Sequence, residues 1–535
     1  MRSARVLALL AAGAVALVAC GGDALVTTER ADQIRVVVPP IAPTPDDPGS
    51  GTDPVVEDPE TATDPGAADP GLADPGTPDP GTPDPGTPDA ELPDRTPSVA
   101  VDEAAIDFGS NKPGREYDQF LLAVMTDLEL WWTQQYPAVY GEPFRPLEGQ
   151  VYAAHPDRPD DIPGCGSPRT TYEEVQEFVA FYCGVGDFMV YDDGSDGLLA
   201  ELARDYGAGT IGTVLAHEFG HAIQLRNGAL DRPLATITTE QQADCFAGAW
   251  TGRAARGEAA TVRYTDADVR AGLIAMTRVS DPVGLDQFVA GGHGSAFDRV
   301  GAFQVGFNEG PGRCAELLDD PLPLVPNQFT SLEEEATGGD AAFGYGEDEL
   351  LGFIPSDLNL YWNEELSIGG LDKLTLVVAR DADDVECGDL RGDFDEGVAL
   401  CTSTDEVWFN EPVAREAYRS FGDFAVGYLV ATAWSEAVQD AVDTDLEGEE
   451  RALLNDCLTG AWVKTVVPVE FRLPQPRLET RTVTVSAGDL DEAIQTVLTV
   501  SDTGSGDDVR GSAFEKIDAF RTGVLGGLDV CLPDL

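Results

Sequence analysis

The sequence predicts an α+β protein, mainly helical with a small sheet, in which one domain occurs twice in tandem. Three observations predict it. Long segments carry apolar residues at helical spacing, one aromatic and aliphatic run reads as a strand, and four segment pairs match in the same order. "DLELWW" at 127–132 pairs with "DLNLYW" at 357–362, and "YGAGTIGTVLAHEFGHAIQ" at 206–224 with "FGDFAVGYLVATAWSEAVQ" at 421–439. "ADCFAGAW" at 243–250 pairs with "NDCLTGAW" at 455–462, and "GSAFDRVGAFQVGF" at 294–307 with "GSAFEKIDAFRTGV" at 511–524. Convergence of bland helices could give one such match. Four collinear ones, with Trp, Gly and Cys aligned, point to internal repetition. The expected organisation is an export signal at 1–20, a tether at 21–112, a first copy at 113–330 and a second at 340–535.

The chain begins as an exported lipoprotein would. Arg2 and Arg5 make a positive start, and Val6–Val18 is an apolar run too short to span a bilayer comfortably. Leu17-Val18-Ala19-Cys20-Gly21 resembles a bacterial lipobox, which makes Cys20 the lipidated residue. No later stretch is long and apolar enough to span, so that lipid is the expected sole membrane attachment, facing the outside or the periplasm. The tether is rich in Pro, Asp, Gly and Thr from Pro39 onward, and 76–89 repeats Gly-Thr-Pro-Asp-Pro. Its few apolar side chains cannot offset the entropy of ordering it. A coil of this length spans about 50 Å, enough to hold a domain off the membrane.

A net charge of −63 excludes nucleic acid as a natural partner, since a polyanion is repelled. Nine Cys in an exported chain suggest disulfides; with Cys20 lipidated, eight remain. Residues 113–535 are too many for one ordinary core. Helices are expected over 115–135, 208–226, 238–256, 266–277 and 295–308, with counterparts in the second copy. "FYCGVGDFMVYDD" at 181–193 reads as a turn followed by a strand.

The chemistry is concentrated on the helix over 208–226. His217 and His221 are four apart and project from one face, where two imidazoles can share one zinc ion. Glu218 stands beside them, placed to take a proton from the attacking water. The chain has four His in all, so a chance HExxH is rare. Glu240 opens "EQQADCFAGAW", far enough along for a loop and a returning helix, and completes a His, His, Glu set that leaves the fourth position to water. Asp244, one turn further, can accept a hydrogen bond from the outer nitrogen of a ligand His.

"HEFGHAIQ" followed by "EQQADCFAGAW" resembles the bacterial neutral zinc metallopeptidase family and, more broadly, gluzincins, in which HExxH is completed by the Glu of an ExxxD helix. The resemblance extends to Cys165-Gly166, to Phe181-Tyr182-Cys183 with Asp187 and Tyr191, and to His293-Gly294-Ser295 with Arg299, covering about 120–320. Ala222 stands where many members carry another His, which is not a required ligand. The resemblance implies a zincin-like fold, one Zn2+ in the first copy, and hydrolysis of a peptide or protein substrate. It also implies that the strand at 187–192, with Asp187 and Tyr191, is an edge that pairs with extended substrate. His293 has two readings: a donor to the oxyanion, or a turn residue among Gly291, Gly292 and Gly294. His155, beside Pro156, reads as a loop residue.

Each copy has four Cys in corresponding order. The expected pairs are Cys165–Cys183, Cys245–Cys314, Cys387–Cys401 and Cys457–Cys531, although four Cys allow three connectivities per copy. In the second copy Thr432, Ala433, Glu436 and Ala452 stand at the positions of His217, Glu218, His221 and Glu240. Asp456 survives at Asp244, Arg510 replaces His293, and 340–535 contains no His, so that copy is expected to bind no zinc. Two rival readings remain: a non-catalytic envelope lipoprotein with a structural zinc, and a substrate-binding or adhesion module.

Overall fold

A computed structural model describes residues 99–325, 327–366, 371, 374–466, 485–500 and 512–533. The export signal, Cys20, the tether up to residue 98 and Arg510 lie outside them. The described residues belong to one compact unit. It is mainly helical with small sheets, and none of its helices is long and apolar enough to cross a membrane.

In the first half the order is α1 (Asp118–Tyr140), β1 (Val151–Ala154), β2 (Ile162–Pro163), β3 (Arg169–Thr170), α2 (Tyr172–Phe178), β4 (Ala180–Cys183), β5 (Phe188–Asp192) and α3 (Leu198–Tyr206). Then come α4 (Gly209–Asn227), α5 (Thr236–Ala255), α6 (Asp266–Arg278), α7 (Ala296–Glu309) and α8 (Pro311–Glu316). The second half runs α9 (Leu332–Thr337), α10 (Leu350–Leu366), β6 (Thr375–Ala379), β7 (Leu390–Asp393), β8 (Val398–Cys401), β9 (Glu406–Asn410) and α11 (Glu411–Phe421). It ends with α12 (Asp423–Ala441), α13 (Gly448–Val466), α14 (Asp489–Val500), α15 (Ala513–Gly526) and α16 (Leu528–Cys531).

Helix α4 is the centre of the first half. Every residue but Leu225 and Asn227 is buried, because α1, α3, α5 and α6 surround it. A helix apolar on nearly all faces belongs inside a bundle. It stops at Gly228, whose left-handed φ of 77° lets its N–H reach the carbonyls of Gln224 and Leu225. Against it, α1 lays Trp132, which meets Phe246 of α5 edge-on at 5.0 Å. Asp127 of α1 accepts from the Trp250 indole at 2.9 Å. The second half has the same bond, from Trp462 to Asp357 at 2.8 Å.

Helices α5 and α7 approach backbone to backbone. A methyl group on Gly248 would lie 1.9 Å from the Phe303 carbonyl oxygen, and one on Gly306 would lie 1.8 Å from that of Cys245. Gly460 and Gly523 make the equivalent crossing of α13 and α15, at 2.1 and 1.9 Å from the carbonyls of Phe520 and Cys457. Four disulfides close the covalent frame: Cys165–Cys183, Cys245–Cys314, Cys387–Cys401 and Cys457–Cys531, the expected pairs.

The sheets differ from expectation in one respect that matters for function. β5 is the middle strand of β1-β5-β4, parallel to β1 and antiparallel to β4. Its backbone donors and acceptors are used on both sides, so the strand at 187–192 is not an edge and cannot pair with a substrate. The second sheet has order β6-β9-β8-β7, again with one parallel pair and an antiparallel neighbour. Helices α2 and α3, absent from the sequence reading, flank β5 and α4. The folded part also starts before residue 113. Ile106 is buried, Asp107 bridges to Tyr152 beside β1, and the Asp102 N–H bonds Thr126 Oγ1 at 3.0 Å. One apolar side chain with a socket ends the tether earlier than composition indicates.

The glycine crossing gives a direct test. Gly248→Ala or Gly306→Ala should cost about 2 kcal/mol or more, because rigid backbone must move to admit the methyl. Urea unfolding measures it; a loss below about 0.5 kcal/mol, the range of an unremarkable surface change, would mean that the helices part freely.

Candidate metal centre

Two helices build the site. Gly220 of α4 lets it lie against α5, where a methyl would sit 3.0 Å from the Ala243 Cα. This close approach brings the imidazoles of α4 to the first turns of α5. His217, His221 and Glu240 are all buried, and one ligand atom of each lies within 4.8 Å of the others. Glu240 Oε2 is 3.2 Å from His217 Nε2, and Oε1 is 3.6 Å from His221 Nε2. Yet Glu240 Oε2 makes no hydrogen bond. Two imidazoles and a carboxylate, buried with one ligand atom of each within 4.8 Å of the others, fit a cation of the N/O-preferring kind. Glu218, also buried, follows His217 on the same helix.

The outer nitrogens fix both tautomers. His217 Nδ1 lies 2.6 Å from Asp244 Oδ1, and an ionised carboxylate only accepts, so Nδ1 carries the proton. Asp244 thus stands where its spacing placed it. His221 Nδ1 lies 2.9 Å from Gln224 Oε1, whose amide nitrogen donates to the Thr239 carbonyl at 2.6 Å. That bond turns the Gln224 oxygen towards the ring, so His221 Nδ1 also donates. Both Nε2 lone pairs are left for a metal. Gln224 was missed by sequence reasoning, although its i+3 spacing from His221 was the available signal.

Asp244 is held in turn by Arg299 of α7, whose Nε and Nη2 reach its two oxygens at 2.9 Å each. Burial opposes a charge on Asp244, but Arg299 and His217 outweigh it and hold its carboxyl below the usual range. Burial likewise opposes a charge on His217, and Asp244 with Glu240 overrides it, raising His217 to about 10 in the metal-free protein. His221 follows the same pattern: burial lowers it, Glu240 raises it more. For Glu240 burial works upward, while His221 and His217 hold it well below the carboxylate range.

His293 ends the loop between α6 and α7. Its N–H and that of Gly294 both donate to Asp281 Oδ2, at 2.7 and 2.8 Å, and its Nδ1 lies 3.4 Å from Asp281 Oδ1. The side chain is 49% exposed, and its charge bears on Glu240. Asp281 was not found from sequence. His155 lies in the loop after β1, as expected, and is buried there at 3% exposure.

Asp187 and Tyr191 are structural. Asp187 closes the β4–β5 turn and accepts from Tyr182 at 2.6 Å and from Arg226 of α4 at 3.0 and 3.1 Å. Tyr191 is fully buried in the middle strand. In the second half, Glu436 at the position of His221 is ion-paired to Arg451 and accepts from Asn455 at 2.6 Å. Asp456, at the position of Asp244, accepts from the Tyr428 hydroxyl.

Among known proteins the chain is similar to uncharacterized proteins of Mycobacterium bovis and of two strains of Mycobacterium tuberculosis. Each is 31% identical over 174 residues. The match covers 28% of this chain and 57% of each relative, so the chain spans little more than half their length. No family profile and no solved structure matches.

The charge pattern makes metal uptake a proton-coupled event. The His217 pKa is raised, so its stabilising charge is fully present below its unfolded value near 6.5 and is lost as pH rises through about 10. A metal at Nε2 must displace that proton. Zinc titration of metal-free protein near neutral pH should therefore release about one to two protons per ion. Calorimetry in buffers of different ionisation enthalpy reads this directly, and zero release would contradict the assigned charge state.

Proposed function

We propose that the chain is an exported, lipid-anchored zinc peptidase whose first half is catalytic. The observation that carries this reading is the buried convergence of His217, His221 and Glu240 next to Glu218 on one helix. Two imidazoles and one carboxylate suit zinc and leave a position open, as catalytic rather than structural sites do. The resemblance of HEFGHAIQ and EQQADCFAGAW to neutral zinc metallopeptidases, with a zincin-like fold, agrees with it. Bound zinc would supply Lewis acidity, polarising the scissile carbonyl and the attacking water. Glu218 then takes the water's proton and passes it to the leaving amine. Asp244 and Gln224 keep both imidazoles turned towards the ion. His293, whose backbone N–H is anchored by Asp281, would donate to the developing oxyanion.

An export signal at 1–20 and a lipid on Cys20 would put this activity at the cell envelope, and four disulfides agree with an oxidising compartment. The substrate is a peptide or protein; net charge argues against nucleic acid. We read the two halves as copies of one domain. The repeated Trp–Asp bond, the repeated glycine crossing, the similar sheets and the matched disulfides support this. In the second copy the Glu436–Arg451–Asn455 cluster fills the place of the metal group, so that copy binds no zinc there.

The second half instead braces the first. Asp491 of α14 accepts from the Ala296 and Phe297 N–H groups, at 3.0 and 2.8 Å, and so caps α7 where it leaves the His293 loop. Arg521 of α15 donates to the Phe297 carbonyl at 2.9 Å, and Phe514 packs on Phe307 at 4.3 Å.

Two sets of variants test these readings. Glu218→Gln should keep one zinc and lose most turnover, whereas His217→Ala and Glu240→Ala should lose the metal as well. Peptide-library turnover with metal analysis decides it, and full activity in the Glu218 variant would end the catalytic assignment. Asp491→Ala should cost about 1 kcal/mol, as loss of a helix cap does, and should lower turnover while zinc stays bound. Unchanged turnover in that variant would separate the second half from the site.

A further inference from the structure

A second group of ligating side chains lies in the other half, far in sequence from the zinc ligands. Asp340 follows α9, Asp423 begins α12, and Glu492 sits in the first turn of α14. One carboxylate oxygen of each lies within 4.8 Å of the others. Part of their bonding is ordinary capping. Asp423 Oδ2 accepts from the Ala341 N–H at 2.7 Å, and Glu492 Oε2 accepts from the Phe424 N–H at 2.7 Å. What capping leaves over is the informative part. Asp423 is 93% buried, and its Oδ1 has no hydrogen-bond partner. Among the described residues no Lys or Arg pairs with any of the three. Asp489, buried nearby, is pushed well above the usual carboxylate range by burial and by Asp423 and Glu492, and it accepts from the Ser486 N–H at 2.8 Å.

Three carboxylates facing one another with no cation, Asp423 buried and Asp340 and Glu492 half-buried, are unfavourable. Burial and mutual repulsion push Asp423 up to about 7 and Glu492 up to about 9. The repeat alignment sets Asp423 opposite Ala208, so helix α4 starts without this carboxylate and the fold does not demand it.

We propose that Asp340, Asp423 and Glu492 form a calcium site that joins the segment after α9 to the starts of α12 and α14. The donors are all hard oxygens, with no His or Cys, which selects Ca2+ or Mg2+ over transition metals. They come from three separate segments, and Asp340 is partly open to water. Calcium tolerates such an irregular set and completes its six to eight ligands with water, whereas magnesium demands a near-ideal octahedron. The ion would steady α14 one residue from Asp491, the cap of α7.

The full chain, freed of calcium with a calcium-selective chelator, is titrated near neutral pH with Ca2+ alone, following the melting temperature. Tb3+ luminescence gives a second signal through Tyr418, whose ring bears on all three carboxyls and whose hydroxyl donates to the Ala341 carbonyl at 2.9 Å. The expected result is one saturable site binding at about 1 mM or tighter, a rise in melting temperature, and Tb3+ emission that Ca2+ displaces. Asp423→Asn and Glu492→Gln should each weaken binding at least about tenfold, with one zinc per chain retained, so this result is independent of the peptidase reading. A melting temperature flat to about 10 mM Ca2+ with no Tb3+ signal overturns the proposal in favour of shared protons, as does undiminished binding in the Asp423 variant. Should the variants fail to fold, the wild-type titration still decides.

Discussion

The buried carboxylate of Asp244 is the interaction on which the candidate metal site depends. It is fully buried, and it receives His217 on one side and both arms of Arg299 on the other. An unpaired charge in that position would be very costly. With Arg299 beside it the charge is held, and its surplus acceptor capacity orients a ligand imidazole. One residue of α5 thus couples α4, which carries two ligands, to α7, which carries the arginine. The coupling requires helices that nearly touch, and Gly220, Gly248 and Gly306 provide that contact.

The other half gives the comparison. At the corresponding position Asp456 takes a hydroxyl from Tyr428 in place of an imidazole, and Lys516 stands in the alignment where Arg299 stands. Lys516 lowers the Asp456 pKa less than burial raises it, and the carboxyl rises to about 6. The packing residues keep their contacts: Trp462 still bonds Asp357, and the glycines still let α13 meet α15. Shape and charge network are therefore separable. The network changes where the ligands change; the packing does not.

Sequence exposed the parts of the site that are periodic. His217, Glu218 and His221 are legible because a helix has 3.6 residues per turn, and Glu240 with Asp244 because they repeat that spacing on the next helix. Gln224 shows the same periodicity and could have been found. Asp281 could not, since a loop residue that accepts from its neighbours' N–H groups leaves no periodic trace. The strand at 187–192 was misplaced for a physical reason. Phe188, Met189, Val190 and Tyr191 are all apolar and all buried, and a run without alternation marks a strand covered on both faces, whereas its two hydrogen-bonded neighbours are set by the topology. Its partner β1 has only four residues and gives little pattern to read. The small-residue positions were visible in sequence, but only the crossing distances reveal why they are small.

Helix α7 is clamped at two points by different means. Arg299 ties its first turn to Asp244, and Asp491 caps the turn from the opposite half. Between these points lies Asp298, while the His293 loop enters immediately before the helix. A helix start has free N–H groups that must find acceptors, and here a carboxylate from α14 supplies them. Burial pushes the Asp491 pKa up to about 6, against the pull of the two N–H groups. A carboxylate is kept at that position although desolvation opposes its charge. Ser295 accepts from the Asp298 N–H while Asp491 takes those of Ala296 and Phe297, so the start of α7, and with it the geometry around Asp244 and His293, is a property of both halves together.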